Sequence, residues 1–139
     1  MMRAGQTGAW GQAPDAEAIE TLARAAIARL PDIFRDHLGD VVLRIEDFAD
    51  EATLHAFGID DPFALSGLYR GLPVGTKSIS DSGTMPDMIF LYRRALLEEW
   101  IESGETLEAL VSHVLVHEVG HHFGLSDADM HALEAAARR

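Results

Sequence analysis

The chain has 139 residues, with 11 Lys plus Arg against 23 Asp plus Glu, and no cysteine. That length is one domain able to bury a sizeable core without staples. The formal charge of −12 repels phosphate backbones and argues against a nucleic-acid partner, and the missing cysteines exclude thiol catalysis, Fe–S clusters and Cys-based zinc knuckles.

No apolar run approaches the ~18 residues that a membrane span needs, so no membrane role is expected. Met1–Trp10 lacks the apolar core of a secretion signal, which makes the cytoplasm the expected compartment. Gly, Ala and Gln dominate residues 1–14, which read as a flexible tail ahead of a single domain over 15–139. Pro14-Asp15 opens a helix whose stripe is Ile19, Leu22, Ala26, Ile27 and Leu30. Ile33, Phe34 and Leu38 predict a second short helix ended by Gly39. Val41–Asp47 reads as a strand, 49–55 as a helical turn or loop, 58–65 as a loop, and Leu68–Gly71 as a short strand. Gly, Pro and Ser fill the stretch from Pro73 to Pro86, an expected exposed loop or hairpin.

Met88–Tyr92 is the clearest strand, and the Pro just before it fits an edge strand or a strand start. Arg93–Glu102 is helical, with Arg93, Arg94, Glu98 and Glu99 expected on a solvated face, and Gly104 breaks it. Thr106–Phe123 reads as one long helix with Gly124 as its stop. Ser126 or Asp127 can cap a final helix through Arg138. Helices around a few strands, ending in a helix pair, define an α+β layer fold.

Five of the seven histidines lie between residues 113 and 131. Within that stretch His117-Glu118-Val119-Gly120-His121 spells H-E-x-x-H on the long helix. Residues four apart share a helix face, so His117 and His121 can offer two imidazole nitrogens to one ion. Glu118 falls about 100° round the helix from His117, beside such an ion rather than on it, where a carboxylate can act as a general base. A hydrolytic zinc centre takes three protein ligands and a water, and without Cys the third must be His, Asp or Glu. Asp127 is the natural choice, because a left-handed Gly124 can turn the chain back toward the two histidines; His131 is the runner-up. Zinc is the expected ion, although imidazole–carboxylate sites also accept Co, Ni or Mn.

The extended motif His117–Asp127 (HEVGHHFGLSD), with Pro86–Arg93 and Gly67–Gly71 upstream, resembles the small bacterial zincin-like metallopeptidases known as minimal zincins. The likeness covers roughly residues 15 to 135. It implies an α+β fold in which a small mixed β-sheet packs against the active-site helix, with flanking helices. It also implies His117, His121 and Asp127 as ligands of one Zn2+ and Glu118 as the catalytic base. A methionine turn of the metzincin kind is missing, since Met130 lies only three residues after Asp127 in an expected helix.

Among the remaining polar groups, His113 reads as a cleft-side or surface residue and His122 as a hydrogen-bonded core residue among Val111, Leu115 and Val119. Tyr69 and Tyr92 can each donate to an oxyanion, but their strand setting favours packing with the hydroxyl at the surface. The strand Met88–Tyr92, if at an edge, can pair with an extended peptide. The expected activity is zinc-dependent hydrolysis of peptide bonds in a short or extended peptide substrate. The rivals are a non-peptide amide hydrolase, a zincin-fold metal-binding or regulatory protein with little turnover, and a protein whose partner completes the cleft.

Overall fold

The computed structural model describes residues 11–71 and 86–137. Most of the expected tail, nearly all of the turn-rich stretch before Pro86 and the end of the last helix at Arg138 lie outside them. Six helices and three strands are found among the described residues. They are α1 (Ala16–Ala28), α2 (Asp32–His37), β1 (Val42–Glu46), α3 (Glu51–Ala56), β2 (Gly67–Arg70), β3 (Met88–Tyr92), α4 (Arg93–Ser103), α5 (Leu107–Phe123) and α6 (Asp127–Ala137), with a 3-10 turn at Pro62–Ala64.

The caps follow from local chemistry. Asp15, Asp50 and Thr106 each use a side-chain oxygen to accept the backbone N–H three residues on, satisfying donors that an α-helix start leaves orphaned. Gly104 and Gly124 sit at φ 76° and 65°, the left-handed conformation that a side chain disfavours, and they end α4 and α5.

The sheet order is β1-β3-β2, with β1 parallel and β2 antiparallel to β3. β3 is therefore the central strand, which corrects the edge reading of Met88–Tyr92. The Pro marks only its start, and a nearly continuous apolar run is what a strand covered on both faces requires. Ile89 and Leu91 point into the main core with Ile19, Ala23, Leu115 and Val119 from α1 and α5. Phe90 and Tyr92 point the other way, into a smaller cluster with Ala49, Ala95 and Leu54. The sheet is thus a middle layer, with α1 and α5 on one side and the α3 region on the other.

Arg93, expected to face solvent, is instead largely covered and ties elements together, while Arg94 is exposed as expected. Arg93 Nε donates to the Pro14 carbonyl at 2.8 Å, and both Arg93 and Arg94 reach Asp47 at 3.5 Å. Ser66 and Glu99 likewise bond at 3.2 Å, linking the start of β2 to α4. No described helix is long and apolar enough to cross a membrane.

Candidate active site

α5 is the central helix of the domain. Ten of its residues are buried, among them Val111, Leu115, Val116 and Val119. Its remaining face carries His113, His117 and His121 at four-residue steps. At its end the Leu125 N–H reaches back to the Gly120 carbonyl at 2.9 Å, closing the turn that Gly124 permits. Ser126 then caps α6 by accepting from the Asp129 N–H at 3.2 Å. α6 runs back along α5: Met130 lies on Gly120, and Glu134 reaches His113. A β-carbon added at Gly120 would stand 2.8 Å from Met130 Sδ, so the absent side chain is what lets the two helices approach so closely.

This packing leaves a hollow of about 190 Å3 lined by His117, Asp127, Met130, His131 and Glu134. Two of the three expected ligands, His117 and Asp127, therefore line one hollow although they belong to different helices. His121 does not line that hollow. Its side chain is 56% exposed, and its Nδ1 lies 3.4 Å from Glu118 Oε1. The tightest donor group among the described residues is a different one: ligand atoms of His113, His117 and Glu134 all lie within 4.8 Å of one another. His113 Nδ1 is 2.8 Å from Glu134 Oε1, and the rings of His113 and His117 are 4.7 Å apart.

Sequence reasoning missed Glu134 and took His113 for a bystander. The signal was present in Asp127, His131 and Glu134, which recur at four and three residues and form a stripe matching the one on α5.

Glu118 is buried against β2 and accepts a hydrogen bond from the Tyr69 backbone N–H. Burial raises its pKa above the ordinary glutamate value, and the attraction of His121 and that N–H only partly oppose it. β2 sits close here. A β-carbon at Gly67 would fall 2.7 Å from Val114 Cγ1 and 3.5 Å from Glu118 Cγ. His117 titrates below its usual range, first because it is desolvated and then because His113 lies beside it.

The opposite side of α5 holds a second polar group. His122 is buried, as expected, with Nδ1 3.2 Å from Asp87 Oδ2 and 3.4 Å from the Tyr69 hydroxyl. The Tyr69 hydroxyl also bonds Asp87, and burial with that carboxylate raises its pKa. Tyr69 therefore turns inward, which corrects the expectation of a surface hydroxyl. Tyr92 is buried too. Its ring stacks on Phe90, and it lines a small hollow with Arg44, Glu46, Asp50 and Arg70 beside β3. Burial and then Glu46 push its pKa up to about 12. His131 does line the hollow beside His117.

A helix-borne H-E-x-x-H packed beside a three-stranded mixed sheet defines the class as a zincin-like α+β protein. The family model described as Zincin-like metallopeptidase matches residues 38–137, and the chain belongs to that family. The matched region runs from β1 through α6 and so contains the sheet and both helices of the hollow. No curated protein matches the chain significantly.

Proposed function

We infer that the protein is a zinc-dependent peptidase in which His117, His121 and Asp127 hold the ion and Glu118 is the general base. The observation that carries this reading is that His117 and Asp127 line one hollow, with Glu118 buried one residue along α5. The donor chemistry fits zinc, since two imidazoles and one carboxylate leave a fourth position for water. Burial supports the same assignment, because it keeps His117 unprotonated and therefore a competent donor near neutral pH. When bound, the ion would lower the pKa of water and polarise the scissile carbonyl.

Glu118 supplies the proton handling. Its raised pKa suits a carboxylate that takes a proton from water and passes it to the leaving nitrogen. The Tyr69 N–H and His121 fix the orientation of that carboxylate. Among the described strands β2 lies at an edge of the sheet, directly against α5, and it takes over the substrate-pairing role first considered for β3. An extended peptide laid along β2 would pass beside Glu118. The catalytic unit is taken as residues 15–139 acting in the cytoplasm on short or extended peptides.

The test is Glu118→Gln assayed against a peptide library, beside metal analysis of Asp127→Ala. Glu118→Gln should keep its zinc and lose about 10²–10⁴-fold in turnover. Asp127→Ala should bind zinc at least tenfold more weakly while remaining folded. Turnover that survives Glu118→Gln removes that residue from the mechanism, and a zinc affinity unchanged in Asp127→Ala removes Asp127 from the ligand set.

A further inference from the structure

We propose that His113, His117 and Glu134 form a divalent-cation site of their own, one helical turn before the H-E-x-x-H pair, which contends with that pair for His117. The site adds to the reading above and does not depend on His121, Asp127 or Glu118.

Three observations carry it. The donor atoms of the three residues already lie within 4.8 Å of one another, and this is the group that the α5–α6 packing assembles among the described residues. Around a tetrahedral zinc with bonds near ~2.1 Å, ligand atoms stand roughly 3.4 Å apart. The His113–Glu134 separation of 2.8 Å and the 4.8 Å bound straddle that value, so small side-chain rotations would complete the set. The hollow of about 190 Å3 that His117 and Glu134 line, and His113 does not, leaves room for a water on one side of the group.

The backbone is also held where such a site needs it. Gly120 lets Met130 settle onto α5, and this fixes how far along α5 the Glu134 carboxylate reaches. Two neutral imidazoles and a carboxylate are borderline donors suited to Zn2+, Co2+ or Ni2+ rather than to Ca2+ or Mg2+. His117 belongs to both donor sets, and one imidazole serves one ion well. Filling the His113 site therefore draws His117 away from His121 and Asp127, and excess metal acts against the first site.

The experiment is a titration of the full chain, stripped of metal, with Co2+ followed by its visible absorption, with ions per chain counted independently for Zn2+. Thermal melts of the metal-free variants establish that each is folded. Wild type should bind one ion per chain, since either donor set needs His117. Glu134→Gln, which keeps a hydrogen bond to His113, and His113→Ala should each weaken at least tenfold the binding that remains in the double variant His121→Ala with Asp127→Ala. The double variant His121→Ala with Asp127→Ala should still bind one ion.

If Glu134→Gln and His113→Ala, each added to that double variant, leave the number and affinity of bound ions unchanged, the contact is an ion pair only and the proposal falls. A double variant that binds no ion also overturns it, and leaves the H-E-x-x-H set as the sole site. If instead Glu134→Gln abolishes all binding and the double variant changes nothing, this site stands and the His121–Asp127 ligand set falls.

Discussion

His121 and His122 are neighbours in sequence with opposite settings. The side chain of His121 is 56% exposed and faces Glu118, whereas His122 is 3% exposed and bonded to Asp87 and Tyr69 on the far side of α5. Both are imidazoles on one helix, and a shift of about 100° in direction separates them. On the His122 side, a buried polar group locks the sheet to the helix. On the His121 side, polar groups are left accessible to a ligand. The lesson is that burial and partner, rather than residue type, decide which histidine holds the fold and which is available for chemistry.

The sharpest way to break the comparison is His122→Ala. It removes a partner of a buried carboxylate and opens a void, so it should cost about 3–5 kcal/mol of stability. Urea denaturation measures that loss, while zinc per folded chain should stay unchanged. A variant that is stable but metal-free would exchange the roles of the two faces.

Gly120→Ala probes the seam between α5 and α6. A methyl group there meets Met130, and overpacking of this kind costs about 1–3 kcal/mol, offset in part by the better helix propensity of Ala. Because α6 carries Asp127 and Glu134, zinc affinity should fall together with stability. Calorimetric titration reads the first and thermal melting the second. Unaltered affinity would detach α6 from the metal site.

A pH series on metal-free protein sharpens the accessible side. Burial raises the Glu118 pKa above 4.5, so above that pH the folded chain binds its proton more firmly than the unfolded chain. Stability contributed by Glu118 therefore falls as pH rises from there. His117 works the other way. Its pKa lies below 6.5 in the fold, so stability is lost as pH drops through 6.5 and the unfolded chain takes up the proton. The advantage of Glu118→Gln over wild type in denaturant melts should thus grow from about pH 4 upward. A difference that stays flat with pH would mean that the carboxylate is as well solvated in the fold as outside it.

The smallest expected shift in stability is that of His121→Ala, within about 0.5 kcal/mol because the side chain is exposed. Its effect should fall on metal binding alone, the reverse of His122→Ala.

Much of this was legible before the fold was known. Thr106, Gly104 and Gly124 punctuate the chain strongly enough that α5 begins and ends within a residue of expectation. The four-residue histidine spacing and the buried setting of His122 followed from helical period alone. What could not be read was tertiary. Whether Glu134 reaches His113 depends on how far α6 slides along α5, which Gly120 and Met130 decide by contact. The inward turn of Tyr69 depends on Asp87, 18 positions further on, at a separation no periodicity encodes. The central place of β3 was obscured because a Pro before a strand fits both an edge strand and a strand start.

The seam between α5 and α6 has a consequence for motion. The candidate ion donors lie on both helices, so a cation that bridged them would bind the docked arrangement and not a peeled-away α6. By mass action its binding free energy is then added to the cost of detaching α6. Amide hydrogen exchange along residues 127–137 would become a meter of occupancy, slow when an ion is held and fast when it is stripped. With such an ion bound, fraying of one helix and loading of one site would be the same equilibrium seen from two ends.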